Sequence, residues 1–292
     1  MRRMTFIFVI LSILFLVKEK NVSAQNSIQN VTPPSFTGKT NQDFVTVYAH
    51  YSQKLEDYRR SKNAYETARL QYLKSKTQKS IDEAKEKTIE FLTARDEVII
   101  SYLEVLKVKL QTNEGIDNLK LSSLVLKIDS EIGWYQKHRD FLSSAGTLED
   151  LVADSKEASQ RYTSTKKLIY EALGNITYGQ IVNYRDRIIG LLNRLKGKVA
   201  EIELEKEKNS FSNEKIYEID RGVFQVDNLI IRVDNKLQEA DGVISQISQT
   251  KSRSDPQSLY NNSIVLSSEA RQYLREGSTV LLEIVKNIKV LD

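Results

Sequence analysis

Between residues 213 and 250 the apolar positions Ile216, Ile219, Val223, Val226, Ile230, Val233, Leu237, Ala240, Ile244 and Ile247 follow one another at alternating steps of three and four. A repeat of 3.5 residues with both seam positions apolar predicts a helix whose stripe winds left-handed around a partner. Ile230 stands at the centre of that seam and is expected to be buried. The last helix, 256–291, offers a partner stripe in Leu259, Leu266, Ala270, Tyr273, Val280, Ile284 and Leu291. The first helix, 43–76, repeats every seven residues with rings instead: Phe44, Tyr51, Tyr58, Tyr65 and Tyr72, spaced by Lys54, Ser61 and Ala68. Such a file is read as a packing seam, the competing use being a stacking face for a sugar polymer or peptide.

The remaining pattern is helical too, interrupted by short stop and start signals that bound helices at 80–112, 117–143, 148–173 and 178–208. Ser80 to Glu83 forms a capping box, Asn113-Glu-Gly115 a stop, and Asp117 a cap. Ser143 to Gly146 followed by Thr147 is another stop and cap, and Asp255-Pro256 an N-cap with proline at the first helical position. Gly174-Asn175 is the weakest boundary, where two helices can run on as one. The 80–112 helix has wide apolar faces (Phe91/Leu92, Val98/Ile99, Tyr102/Leu103, Leu106, Leu110), which places it inside the bundle. Connections of a few residues make successive helices antiparallel neighbours. The expected fold is all-α, an elongated antiparallel bundle of about seven long helices with coiled-coil seams. Helix content is expected on the order of 80%, against roughly 30–35% in ordinary domains.

Composition agrees with long helices: the chain has only 11 Gly and 3 Pro in 292 residues, too few for the turns of a sheet protein. Residues 1–24 read as a secretory signal, with Arg2 and Arg3 ahead of an apolar run from Thr5 to Val17 and small residues at Val22-Ser-Ala24. That run is short of the roughly 20 residues that span a bilayer, so the mature chain is expected to begin at Gln25. Residues 25–42 read as a flexible linker and 43–292 as the helical domain, divisible into sub-bundles 43–174 and 175–292. The signal carries four bases and one acid, so three of the four net positive charges leave with it and the mature chain is close to neutral. With acids and bases alternating and no basic stripe, nucleic acid is not an expected partner. The longest uncharged stretches in the helical part, 172–184 and 256–268, contain Asn and Gln, so no stable membrane span is expected after signal cleavage. Zero cysteine removes thiol catalysis, thiolate metal sites and disulfides together.

No constellation of catalytic residues stands out. The two histidines, His50 and His138, lie on different helices without zinc-ligand spacing and are expected to be solvated or at a seam edge. The paired acids Asp82-Glu83, Asp96-Glu97 and Glu149-Asp150 read as solvated helix faces with partners such as Glu83/Lys87. Gly133, Gly190, Gly197, Gly222, Gly242 and Gly277 are dispersed, so they form no phosphate loop and are expected to mark close helix crossings. Trp134 is expected to be a core anchor. No catalytic, cofactor-binding or metal-ligating residue is nominated, and no cofactor.

The runs Ile100-Ser-Tyr-Leu-Glu-Val-Leu-Lys107, Asp129-Ser-Glu-Ile-Gly-Trp-Tyr135 and Ala145-Gly-Thr-Leu-Glu-Asp-Leu151 carry a resemblance. From about Ala94 to Ile247 the chain resembles a family of exported, all-helical proteins of small-genome candidate-phylum bacteria. The resemblance implies a signal peptide and an antiparallel coiled-coil bundle, and no site residues. The expected function is a non-catalytic exported scaffold or interaction protein, periplasmic, cell-surface or extracellular. It would bind a protein partner or itself through helical seams. The alternative is a membrane-active bundle of the pore-forming-toxin type, which would need a concealed apolar hairpin.

Overall fold

The computed structural model describes residues 38–204, 213–249 and 255–289. The signal segment, most of the leader and Leu291 lie outside the described residues. Among the described residues there are six α-helices and no strand: α1 Gly38–Lys74, α2 Gln78–Gln111, α3 Asn118–Leu142, α4 Leu148–Leu204, α5 Asn213–Gln249 and α6 Pro256–Lys289. α1 begins five residues before the boundary read from the sequence.

The fourth and fifth expected helices are one. α4 is 57 residues long, about 85 Å at 1.5 Å per residue, and passes through Gly174-Asn175 without interruption. The local signals are overridden because this stretch is enclosed: Leu168, Ile169, Tyr170, Ala172, Leu173, Asn175 and Ile176 are all buried, so apolar surface surrounds the helix. The polar side chains bond back into their own helix. Asn175 Nδ2 donates to the Glu171 carbonyl at 2.8 Å, and Thr177 Oγ1 to that of Leu173 at 3.1 Å. The absent Cβ of Gly174 leaves room for Ile244 of α5.

α4 is shared by two groups of helices. α3 crosses it through Arg161–Glu131 and Lys127–Glu171, and the α2–α3 connection reaches it at Ile176. Further along, α5 runs back down α4 through Arg185–Asp234 and Lys196–Asp227. α6 lies parallel to α4, starting where Tyr260 packs on Tyr170. The Ile181, Ile188, Leu192, Leu195 and Val199 file of α4 forms one core with Ile219, Val226, Val233 and Leu237 of α5 and Ala270, Leu274, Leu281 and Ile284 of α6. A smaller cluster of Leu92, Leu142 and Leu151 closes the other end.

The α5 seam is buried within the chain, with Val226, Val233, Ala240 and Ile247 inaccessible, but Ile230 and Val223 are only partly covered. The seam tilts toward α4 as well as α6, which puts those two positions at its edge. The stripe expected on α6 is also displaced. Its buried positions are Tyr260, Ser263, Ser267, Ala270, Leu274, Gly277, Leu281 and Ile284, while Leu259, Leu266, Tyr273 and Val280 sit at the margin. Serine, alanine and glycine in that line let α6 lie close to two helices at once. Of the six glycines read as crossings, only Gly222 is tight, a Cβ there falling 2.8 Å from Ile284 Cδ1; Gly133, Gly190, Gly197 and Gly242 face open space.

Helix starts follow capping chemistry, with one displacement. Thr77, not Ser80, caps α2: its oxygen accepts from the Ser80 N–H at 3.3 Å, while the Ser80 hydroxyl is spent on backbone carbonyls. Asp117 accepts from Leu119 and Lys120 N–H at 3.0 and 3.1 Å. Thr147 and Asp150 exchange reciprocal bonds at 2.8 and 3.2 Å, the capping-box arrangement with Asp at N3.

The ring file of α1 packs on α2. Tyr51 lies against Tyr102 at 5.4 Å between centroids, Tyr58 and Tyr65 flank Phe91 at 5.5 and 4.9 Å, and Lys109 sits over Phe44. Burial pushes the phenols of Tyr51 and Tyr170 up to about 12, and drives those of Tyr102 and Tyr162 higher still. The hydroxyls of Tyr51 and Tyr170 are buried without a hydrogen-bond partner among the described residues. Because an unmade buried hydrogen bond costs about 1–3 kcal/mol, Tyr51→Phe and Tyr170→Phe should each leave stability unchanged or raise it by about 1 kcal/mol. Urea unfolding checks this; a loss above about 1 kcal/mol would show that the hydroxyls are satisfied.

Candidate interaction surface and a buried ionic joint

α5 carries a second line of apolar side chains on the face turned away from its seam. Tyr217, Phe224 and Ile231 recur every seven residues and are 70%, 68% and 58% exposed. The exposed charged residues around the N-terminal half of this line are Glu214, Lys215, Glu218, Asp220 and Arg221, three acids against two bases. Leu119 and Leu126 of α3 are exposed with the same spacing, but the position seven residues further on is Gly133. The sequence reading followed the inner seam and passed over this outer line, although its spacing was legible.

The polar residues are less scattered than they looked along the chain. His50 is exposed on α1, as expected. His138 is buried, which corrects the expectation of a solvated or seam-edge ring: Nδ1 lies 2.5 Å from Asp96 Oδ2 and Nε2 lies 3.1 Å from the backbone carbonyl of Asp154. Asp96 is wholly inaccessible, so the pair Asp96-Glu97 is not a solvated face. Its Oδ1 accepts from Arg95 Nε at 3.1 Å and Nη2 at 3.0 Å. Glu97 takes Lys54 of α1 at 3.0 Å and Arg139 of α3. Burial of Glu97 opposes its ionisation, but the hydrogen bonds from Lys54 and Arg139 outweigh this and hold its carboxyl below the usual range. The other acid pairs do lie toward solvent, and Lys87 pairs with Glu86 and Glu90 rather than Glu83.

Trp134 is not the core anchor. It is partly exposed and stacks on His138 at 5.0 Å and 17°, with the Arg161 guanidinium 5.5 Å above its ring. The anchor is the next residue, Tyr135, fully buried with its hydroxyl 3.2 Å from Thr165 Oγ1. Thr165 in turn donates to Glu131 at 2.7 Å, and Glu131 takes the Arg161 guanidinium through both oxygens at 2.6 and 3.0 Å. The cluster therefore ties α1, α2, α3 and α4 with every strongly polar group satisfied. His138 has both nitrogens committed to oxygens of the protein, which leaves neither to act on a substrate.

Among the described residues, no group of three or more His, Asp or Glu is placed to hold a metal ion. No helix among them is long and apolar enough to cross a membrane. No protein-family model, curated protein or solved structure matches this chain.

Proposed function

We propose that the chain is a non-catalytic, exported scaffold or interaction protein of the cell envelope or exterior, and that the outer face of α5 docks an amphipathic helix of a protein partner. The observation that carries this reading is the Tyr217, Phe224 and Ile231 line. Single exposed apolar side chains are ordinary on folded proteins. Three on one line at seven-residue spacing supply one of the two apolar positions of a coiled-coil stripe, on a helix whose inner stripe is already covered by α4 and α6. Exposed Glu214, Glu218 and Asp220 outnumber exposed Lys215 and Arg221, which favours a partner helix with lysine or arginine beside its apolar positions. The signal-like segment 1–24 supports export, and the satisfied polar cluster supports a structural rather than a chemical use of the buried charges.

The test uses the mature protein as bait on intact native cells, beside Phe224→Lys. Phe224 is exposed, so the substitution should change stability by less than about 0.5 kcal/mol. A partner held by the parent protein should be lost from the variant and weakened by salt. Equal capture by both proteins, or no capture by either, sinks the docking face. Recovery of the chain in the cytosol with its first residues intact sinks export.

A further inference from the structure

We propose that His138 is held as a doubly protonated imidazolium and acts as a pH-sensitive latch that clips α3 to α2 and α4. The argument starts from the two atoms its ring nitrogens meet. Asp96 Oδ2 at 2.5 Å and the Asp154 carbonyl oxygen at 3.1 Å are both acceptors. A neutral imidazole has one N–H and one lone pair, so either tautomer would turn a lone pair toward an oxygen. Two N–H groups satisfy both contacts. The proton between Nδ1 and Asp96 can sit on either side, but the pair together then holds two protons, and the Arg95 fork on Asp96 Oδ1 favours the carboxylate with the imidazolium.

The groups around the ring come from each helix packed on it. α2 presents Arg95, Asp96 and Glu97; Glu97 is already taken by Lys54 of α1 and by Arg139 of α3. α4 presents the Asp154 carbonyl, and Arg161 of α4 lies over the Trp134 ring, held by Glu131 of α3. The indole stacks on the ring face, and His138 is only 8% exposed, so water cannot readily replace either contact. Burial draws the proton affinity of the ring down, but the hydrogen bond and charge of Asp96 and the Asp154 carbonyl more than reverse this, with Arg95 opposing; the net direction is up from the ordinary value.

The direction fixes the sign of the pH dependence. A basic group bound more tightly by the folded state contributes stability that is complete below its unfolded value of about 6.5 and is lost as pH rises through the folded value. Each unit of difference multiplies the unfolding constant by about ten across that window. Deprotonation puts a lone pair against Asp96 or Asp154, so the clip between α3 and its neighbours weakens first. His50, the other of the chain's two histidines, is exposed.

The experiment is a nitrogen-15 NMR titration of both histidine rings in the intact protein, with denaturant unfolding at pH 6 and pH 9. At pH 6 the His138 ring should show two protonated nitrogens and titrate above the ordinary histidine value of about 6.5, and His138→Gln should remove its signals. Unfolding of the parent protein should become easier from pH 6 to pH 9, and His138→Gln should lose that dependence. A His138 ring that is a single neutral tautomer at pH 6, or that titrates at or below about 6.5, overturns the latch. So does a parent protein whose stability is the same at both pH values. The ring titration needs no variant and decides the matter even where His138→Gln fails to fold.

Discussion

Val233→Lys should cost about 4 kcal/mol or more, the largest effect of any single change in the α5 seam. Val233 is fully inaccessible in the core that α5 shares with α4 and α6. A lysine there loses the aliphatic packing and buries a charge among apolar side chains. The neighbouring Asn235 is exposed, so Asn235→Lys should change stability by less than about 0.5 kcal/mol. Ile230→Lys should fall between them, because Ile230 is partly covered and a lysine stem can lie along the seam with its ammonium in water. Since the seam closes within one chain, the folded species should keep its sedimentation coefficient in all three variants. A drop in mass before unfolding, or equal melts for Val233→Lys and Asn235→Lys, would show that this seam is not the core described.

The comparison of α5 with α6 shows what a sequence makes legible. The α5 seam is written in Ile, Val and Leu, and every one of its ten positions is buried or partly buried. The buried line of α6 has the same alternation of three and four, but it runs Ser263, Ser267, Ala270, Leu274, Gly277, Leu281, Ile284. Four of those seven residues are small or polar. They are chosen for close approach rather than for hydrophobicity, so an apolar pattern picks out the margin residues instead. α4 illustrates the opposite failure. Gly174, Asn175 and Thr177 signal a break, and propensity alone would make one. Enclosure on all sides, with the polar side chains bonded to carbonyls one turn back, outweighs that preference.

The ionic joint was invisible for another reason. Asp96 and His138 are 42 residues apart, and each is flanked in the sequence by other charged residues. Nothing local distinguishes Asp96 from Asp82. Only the antiparallel pairing of α2 with α3, which sets Lys107 against Asp129 and Glu97 against Arg139, brings Asp96 to the one histidine in the core. The outer line of α5 lay open to sequence reading and was hidden only by the stronger seam beside it.

Gly115→Ala should cost about 3 kcal/mol, although it adds one methyl group to a connection between helices. The α2–α3 connection is pressed onto the middle of α4. Asn113 Nδ2 donates to the Ile176 carbonyl at 2.7 Å, its Oδ1 accepts from the Gly115 N–H at 3.2 Å, and Ile116 is buried beside them. A Cβ on Gly115 would fall 1.9 Å from the carbonyl oxygen of Gly179 and 3.0 Å from the Asn183 nitrogen, both backbone atoms of a helix that cannot yield locally. The connection must lift, and the Asn113 bond and the Ile116 contact go with it. Gly179→Ala approaches the same contact from the other side, but its Cβ meets the Asn113 amide and Ile116 Cγ1, at 2.5 and 2.6 Å. Those are side-chain atoms that can turn aside, so its cost should be smaller, about 1–2 kcal/mol. Urea unfolding of the two alanine variants measures the order. Equal costs, or a Gly115→Ala protein as stable as its parent, would show that the connection does not rest on α4 at Gly179.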